Sequence, residues 1–155
     1  MLMDTILGQQ LRKVNLLSER LFWRKAFADP SFKTYILDLI REDQLFSKGI
    51  DSDGDIIGLY SEWTEMMNPD KKAGTPYTLK DTGAFYESMI IYIYDNAIEI
   101  DADPIKKDEK GKETNLFFEY GENIVGLTEE NLEKVGLILA DKYRTEIIQA
   151  LSINQ

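Results

Sequence analysis

Apolar residues recur every three or four positions from residue 4 to residue 28, which is the period of an amphipathic helix. The stripe consists of Leu7, Leu11, Val14, Leu17 and Leu21, widened by Leu16, Trp23 and Phe27. This spacing predicts one long helix over residues 4–28 with a broad buried face. Asp29-Pro30 then ends this helix and begins another, since Asp can cap a helix and Pro is tolerated in its first turn.

Two further helical patterns lie on either side of the middle of the chain. The second helix carries Phe32, Ile36, Leu39 and Ile40 on one side and continues to about Phe46. Near the C-terminus, Thr128 is placed to cap a final helix whose first turn is acidic, as the helix dipole favours. Its apolar stripe contains Leu132, Val135, Leu139, Tyr143, Ile147 and Leu151.

The middle of the chain has the alternation of a β-hairpin. Residues 89–94 are rich in Ile and Tyr, and residues 97–102 alternate apolar with acidic side chains. Asp95-Asn96 supplies the turn between these two strands. A short helical turn over residues 84–88 precedes the first strand.

The remaining segments are rich in polar and turn-forming residues. Residues 48–58 predict a tight turn or an irregular hairpin, residues 60–67 a short helix capped by Ser61, and residues 68–76 an exposed loop. Residues 106–113 are wholly polar and predict a solvated, mobile loop. Residues 116–120 are a short apolar piece that Gly121 ends.

Together these patterns predict one α+β domain over residues 1–155, a length typical of a single domain. Residues 1–46 form its helical N-terminal part, and residues 47–155 contain the sheet and the C-terminal helix. We expect a central antiparallel sheet packed by the long C-terminal helix and by an N-terminal helical pair.

Residue content excludes most catalytic chemistry. The chain has no histidine and no cysteine, so it lacks the usual general base near neutral pH, a thiolate nucleophile, structural zinc and disulfides. Carboxylate, lysine or tyrosine chemistry remains, but the dense lysines of residues 106–112 lie in a polar segment that would not activate an amine. We therefore expect a protein that binds other proteins, without a cofactor and without enzymatic activity.

The excess of acidic residues argues against nucleic-acid binding. With 28 acidic and 18 basic residues the formal net charge is -10, whereas binding to phosphates needs clustered Lys and Arg. An acidic wall repels a duplex and lets it slide past. No apolar run is long enough to span a bilayer and the first residues lack a signal-peptide pattern, so we expect no membrane association.

Four carboxylates match part of a calcium-binding loop. Asp51, Asp53, Asp55 and Glu62 fall at the ligand positions 1, 3, 5 and 12 of such a loop. However, Ile56 stands where the loop needs a glycine for its sharpest bend. We therefore expect a turn without tightly bound calcium, with the calcium site as the alternative.

A row of acidic residues follows the second predicted strand. Glu99, Asp101 and Asp103 alternate with Ile98 and Ile100, so they belong to one side of the strand. Such a row is typical of a solvent face, although it also allows a shared divalent metal.

Three aromatic pairs offer flat surfaces on which bases could stack. They are Phe85-Tyr86, Tyr92/Tyr94 and Phe117-Phe118. No basic groove surrounds them in the sequence, so we expect them to serve core and interface packing.

One motif resembles a known protein family. The segment Leu79-Lys80-Asp81-Thr82-Gly83-Ala84-Phe85-Tyr86-Glu87-Ser88-Met89, called the signature segment below, fits the pattern L-x-D-T-G-x-L/F-x-x-S. This pattern is similar to that of the tail-completion or head-to-tail joining proteins of tailed bacteriophages. Gly58-Leu-Tyr60-Ser61-Glu-Trp-Thr64 resembles the lead-in of related proteins from phages of gut Bacteroidetes, and Phe118-Glu-Tyr120-Gly121 resembles the piece that closes the family's sheet.

The resemblance covers residues 58–151 and implies a function, since members of this family form rings in the neck of the virion. It implies a structural, ring-forming subunit that connects portal and tail and leaves a channel for DNA. The implied partners are copies of itself, the portal or other neck ring proteins, and tail proteins, in a virion assembled in the bacterial cytoplasm. The chain departs from the family at residues 122–127, where many members carry P-x-R-P-F, and residues 1–46 have no counterpart.

The match within the signature segment is carried by six residues: Leu79, Asp81, Thr82, Gly83, Phe85 and Ser88. Asp81 and Thr82 are placed to cap the short helix that begins near Ala84, and Gly83 permits a close backbone turn. We therefore expect these residues to be architectural.

For a ring that passes DNA, we expect Glu99, Asp101 and Asp103 to line the channel, because basic residues would hold each phosphate. We expect residues 106–113 to reach toward a neighbouring ring and become ordered there. Two other functions remain open: an acidic calcium-binding or protein-binding module, and a carboxylate- or metal-dependent hydrolase that would use Asp101 or Asp103.

Overall fold

The computed structural model describes residues 5–15, 19–108 and 110–151, and for residues 14 and 15 it describes the backbone alone. The described chain begins with α1 (Ile6–Asn15), α2 (Glu19–Ala28) and α3 (Pro30–Asp38). Asp29 caps α3, because its carboxylate accepts a hydrogen bond from the Ser31 N–H at 3.0 Å. The helix continues as a π-helical segment, Leu39–Lys48, which Gly49 ends with a left-handed φ of 62°.

The long helix predicted over residues 4–28 corresponds to two helices, α1 and α2, and its predicted buried face is largely wrong. Its leucines Leu7, Leu11 and Leu21 are exposed, whereas Phe27 is buried and Trp23 half-buried. The reason is that α1 packs along α7, while α2 also packs on α3 and β1, so the core reaches only the end of α2. Asp4, Leu16, Leu17 and the side chain of Val14 lie outside the described residues.

The predicted central hairpin is confirmed. β1 (Ile90–Ile93) pairs antiparallel with β2 (Ile98–Asp101). Its turn is held by α2, because the Trp23 ring N–H donates to the Ala97 carbonyl at 3.3 Å and Arg24 pairs with Asp95 at 2.6 Å. Helix α2 therefore packs against this hairpin.

The loop predicted for residues 106–113 is instead part of a second hairpin, in which β3 (Ile105–Lys107) pairs with β4 (Glu113–Asn115). At its turn, the Asp108 carboxylate accepts hydrogen bonds from the N–H groups of Lys110 and Lys112, both at 2.9 Å. Gly111 adopts a φ of 79° there. The polar composition of residues 106–113 indicated that the segment is solvated, but it did not indicate that Asp108 and Gly111 close a turn. Glu109 lies outside the described residues.

Short helices connect these hairpins to the long C-terminal helix. They are α4 (Glu62–Met67), α5 (Ala84–Ser88), α6 (Leu116–Tyr120) and a 3-10 turn (Glu122–Val125), followed by α7 (Glu129–Leu151). Ser61 caps α4 as predicted, with its hydroxyl accepting from the Thr64 N–H at 3.2 Å. Thr128 caps α7 as predicted, with its hydroxyl accepting from the Asn131 N–H at 3.3 Å. The irregular hairpin expected within residues 48–58 is present as a bridge between Ile50 and Ile56.

One hydrophobic cluster joins the helices to the central hairpin. Its most deeply buried members are Phe27, Ile36, Ile40, Leu45 and Ile124, and it also includes Ile91 of β1 and Val135 of α7. The α+β class is thereby confirmed, with antiparallel strands packed by N-terminal helices and a long C-terminal helix. The strands form two separate two-stranded sheets. Among the described helices, none combines the length and apolar content needed to cross a membrane.

Candidate interaction surface

The signature segment forms a bend that leads into α5. Leu79 has a left-handed φ of 53°, which is unusual for a residue with a side chain, and Gly83 follows with a φ of 90°. The Thr82 hydroxyl accepts a hydrogen bond from the Ala84 N–H at 3.3 Å, at the start of α5. Gly83 makes the expected close turn and is itself the N-cap residue of α5, so the Thr82 hydroxyl, which lies one residue earlier, closes a turn in place of the cap expected of it.

Asp81 does not cap α5, which corrects the role expected for it. Its carboxylate pairs instead with Lys106 of β3 at 2.9 Å and with Lys71 at 3.6 Å. The hydrogen bond from Lys106 is the largest influence and holds the pKa of Asp81 below its ordinary value, against the opposing effect of partial burial. Asp81 thus joins the signature segment to the second hairpin.

Phe85 and Ser88 anchor α5 to the rest of the fold. Phe85 is buried in the hydrophobic cluster. The Ser88 hydroxyl donates to the Phe85 carbonyl at 2.7 Å and accepts from the Asp103 N–H at 3.0 Å. The neighbouring Tyr86 donates its hydroxyl to the Thr78 carbonyl, and its burial raises its pKa. The signature segment therefore ties α5 to the chain that follows β2.

A cavity of about 320 Å³ opens beside the signature segment. Three tyrosines line it, Tyr60, Tyr77 and Tyr120, and their rings meet edge to face at centroid distances of 4.8 and 6.0 Å. Its charged lining consists of Lys71, Lys80, Lys106, Asp81, Asp108 and Glu119. The cavity therefore offers aromatic surface with no excess of either charge.

Helix α4 presents an apolar face to solvent beside this cavity. Trp63, Met66 and Met67 share one side of the helix and are 66%, 71% and 66% exposed. The helix is nevertheless held in place, because Glu65 accepts a hydrogen bond from the Ala73 N–H at 2.8 Å and pairs with Lys72 at 3.0 Å. Large apolar side chains on an anchored, exposed helix are typical of a surface that contacts another protein.

The structure separates the predicted acidic row. Glu99 and Asp101 lie on β2 and share its outer face, while Asp103 lies beyond the end of the strand. The Glu99 carboxylate accepts from the Tyr94 hydroxyl at 2.7 Å. Asp101 accepts from the Ala102 N–H at 2.8 Å, and Asp103 from the Ile105 N–H at 2.9 Å.

The aromatic pairs divide between the core and the surface. Phe85 and Tyr86 are buried in the hydrophobic cluster. Tyr92 and Tyr94 lie exposed on the outer face of β1 and just beyond it, while Phe118 of α6 is 90% exposed beside the partly buried Phe117.

The carboxylates of the partial calcium motif have other partners. Asp51 Oδ1 accepts from the N–H groups of Asp53 and Asp55 at 2.9 and 3.0 Å, and Asp51 Oδ2 accepts from the Asn123 amide at 2.7 Å. Glu62 lies at the start of α4. Within the described residues, no group of three or more acidic side chains is arranged to hold a metal ion. The arrangement is that of a side-chain-stabilised turn.

Two features of this region were missed by the sequence reasoning. The spacing of Trp63, Met66 and Met67 indicates an apolar stripe on a short helix. The spacing alone does not indicate that this stripe faces solvent. The pairing of Asp81 with Lys71 and Lys106 had no local signal, because the three residues are distant in sequence.

Comparisons with protein-family models, with curated proteins and with solved structures found no match for this chain.

Proposed function

We propose that this chain is a structural virion protein, a ring-forming subunit in the neck or tail of a tailed bacteriophage. In this role it connects portal and tail and leaves a channel through which DNA passes. The observation that carries the proposal is the exposed apolar face of α4, formed by Trp63, Met66 and Met67.

The position of this face supports the proposal. Thr64 of α4 lines the same cavity as Leu79 and Asp81 of the signature segment. The segment that resembles a ring-forming family and the surface suited to subunit contact therefore belong to one region. The partners proposed for this region are copies of the chain, the portal or other neck ring proteins, and tail proteins.

The charge distribution is compatible with a channel for DNA. Glu99 and Asp101 share the outer face of the central hairpin, and neither pairs with a Lys or Arg of residues 5–15, 19–108 or 110–151. Both carboxylates are thus available to repel phosphates. We propose that this face, with Asp103 at its end, lines the channel.

The test is complementation of phage particles that lack this chain. Trp63→Ser/Met66→Ser removes two of the three residues of the apolar face of α4, and Leu137→Ser/Ile148→Ser removes two exposed apolar residues of α7 as the matched control. We expect both variants to fold, because all four side chains are exposed, and we expect only the α4 variant to lower the yield of tailed particles by at least about tenfold.

Imaging of the particles supplies the second readout. We expect density for this chain in a ring between the capsid and the tail. Its presence only in the capsid shell or at the tail tip, or its absence from the particle, contradicts the proposal. Equal losses for the α4 variant and the control contradict the role of α4.

A further inference from the structure

Helix α1 has an apolar face that the subunit leaves exposed. Ile6, Leu7 and Leu11 are 74%, 59% and 46% exposed, and Leu7 and Leu11 are adjacent on the helix surface because they are four residues apart. Helix α1 packs along α7, and among residues 5–13 the buried residue is Gly8. An amphipathic helix that packs on its own subunit through a glycine leaves its leucines available for another contact.

The α1 segment is basic, although the whole chain has a net charge of -10. Residues 5–18 contain Arg12 and Lys13 and no acidic residue, and residues 1–18 add only Asp4. Lys13 is exposed, and no carboxylate of the described residues pairs with its ammonium group. Seven residues are close to two helical turns, so Lys13 continues the side of the helix on which Ile6 lies.

The α4 face has an acidic border. Residues 59–70 contain Glu62, Glu65 and Asp70 and no Lys or Arg. The two lysines that follow are already paired within the subunit, with Asp81 and Glu65. Glu62 and Asp70 are exposed, and no Lys or Arg of the described residues pairs with either carboxylate. The two faces are therefore both apolar, and their unpaired charges have opposite signs.

The two faces also match in length. Residues 6–11 and helix α4 each cover six residues, which is about 9 Å of helix. Both faces are exposed in the same subunit, so neither one covers the other. A second copy of the chain supplies each face with a partner.

Charge selects this pairing over symmetric contacts. Two α4 faces in contact would bring Glu62 and Asp70 of one copy against the same carboxylates of the other, and two α1 faces would bring Lys13 against Lys13. Like charges across an interface are unfavourable, whereas α1 against α4 places opposite charges together.

Other exposed apolar groups of the chain complement α4 less well. Tyr92 of β1 lies opposite Glu99 in the central hairpin, and Phe118 of α6 is followed by Glu119. Either contact would add carboxylates to the acidic border of α4.

We propose that the apolar face of α1 in one copy packs on the α4 face of the next copy and places Lys13 against Glu62 or Asp70. The contact is heterologous, because it joins different surfaces of the two copies, and such contacts close into a ring when the rotation permits. The inference rests on the proposed ring-forming function and names the contact that closes the ring. It leaves Glu99 and Asp101 unpaired, as the acidic channel lining requires.

Disulfide trapping tests this contact, since the chain has no cysteine of its own. Full-length Leu7→Cys and Met66→Cys chains, each changed at an exposed position, are mixed at about 1 mM and oxidised, and mass spectrometry identifies the positions that are joined. A disulfide forms only where the two Cβ atoms approach to roughly 4 Å. We therefore expect the mixed disulfide to form at least about tenfold faster than either homodimer.

The control mixture replaces Leu7→Cys by Leu137→Cys, at an exposed position of α7. It is expected to show no preference for the mixed disulfide. Equal trapping in the two mixtures, faster formation of the Met66→Cys homodimer, or the absence of any disulfide overturns the inference.

Charge reversal provides an independent readout by sedimentation at the same concentration. Lys13→Glu is expected to weaken self-association at least about threefold, because it turns an attraction into a repulsion. Glu62→Lys/Asp70→Lys is expected to weaken it for the same reason. An equimolar mixture of these two variants is expected to associate like the parent, since every α1–α4 contact between unlike variants again joins opposite charges.

Lys110→Glu is the matched control, because it makes the same change in net charge as Lys13→Glu at an exposed position of the second hairpin. It is expected to associate like the parent. A parent that remains monomeric, a control that weakens association equally, or a mixture that stays dissociated overturns the inference.

The outcomes separate this contact from the proposed function. Rings in virions that trap no disulfide between α1 and α4 overturn the contact and leave the function standing. Disulfides that join α4 to another virion protein alone overturn the second-copy assignment. Absence of the chain from the neck and tail overturns the proposed function, whatever is trapped in solution.

Discussion

Gln44 and Asn131, neither of which has any exposed surface, hydrogen-bond to each other, with Asn131 Nδ2 donating to Gln44 Oε1 at 2.9 Å. The same Gln44 oxygen accepts from the Thr128 N–H at 2.9 Å, and Gln44 Nε2 donates to the Gly126 carbonyl at 2.9 Å. One glutamine of the π-helical segment therefore satisfies three polar groups at the start of α7. This contact sets where the long C-terminal helix begins relative to the core.

We expect Gln44→Leu to lower the free energy of unfolding by about 2–5 kcal/mol, because each buried polar group left without a partner costs about 1–3 kcal/mol. Gln149→Leu makes the same chemical change at an exposed position of α7 and is expected to change stability by less than about 0.5 kcal/mol. Urea unfolding of both variants measures the difference. Equal stabilities would show that the glutamine is dispensable.

Gly49 and Gly54 both have left-handed φ values, of 62° and 84°, but their surroundings differ. A Cβ on Gly49 would lie 2.3 Å from the Cβ of Pro76 and 2.7 Å from the Tyr77 carbonyl oxygen, whereas a Cβ on Gly54 would meet no atom within 4 Å beyond the adjoining residues. We expect Gly54→Ala to cost about 1 kcal/mol of backbone strain and Gly49→Ala a further 1–3 kcal/mol, roughly, from overpacking. Thermal unfolding checks this order, and a larger loss for Gly54→Ala would refute it.

Asp51 is expected to stabilise its turn without calcium. Asp51→Ala removes the acceptor for two backbone N–H groups and the Asn123 amide, so we expect a loss of about 1–3 kcal/mol. Asp55→Ala is the control, because the Asp55 side chain is exposed. Neither loss should depend on added calcium. Calorimetric titration that shows micromolar calcium binding, abolished by Asp51→Ala, would contradict this prediction.

Asp81 is expected to make stability fall in acid. Its pKa in the folded chain lies below the ordinary value of 3.8, chiefly through the hydrogen bond from Lys106. A carboxyl group with a lowered folded pKa stabilises the fold above its unfolded pKa, and this contribution is lost as the pH falls through the folded pKa. The loss therefore begins near pH 4 and grows at lower pH.

Urea unfolding at pH 6 and at pH 3 measures this contribution. Since Asp81 is about half exposed, we expect Asp81→Asn to destabilise the chain at pH 6 by less than about 1 kcal/mol and to match the parent more closely at pH 3. Asp70→Asn removes an exposed carboxylate that forms no ion pair within the described residues and should not change the pH dependence. An Asp81→Asn deficit that is larger at pH 3 than at pH 6 would refute the assignment.

Local patterns were enough to predict several elements, because the cause of each lies within a few residues. Alternation around Asp95-Asn96 predicted the central hairpin, and Ser61 and Thr128 marked the starts of α4 and α7. The second hairpin was missed because the polar composition of residues 106–113 was interpreted as a mobile loop, although Asp108 and Gly111 are residues that favour a turn. The cap predicted for Asp81 was wrong because two distant lysines compete for its carboxylate more strongly than nearby backbone N–H groups.

The sequence by itself determined the α+β class, the acidic charge and the absence of histidine and cysteine chemistry. Periodicity, net charge and residue content are properties of the chain that require no knowledge of distant contacts. Only the tertiary structure decided that Leu7, Leu11 and the α4 face are exposed. An apolar stripe can be buried and a strand can be paired. Whether either happens within one subunit depends on which other elements of the fold pack against it.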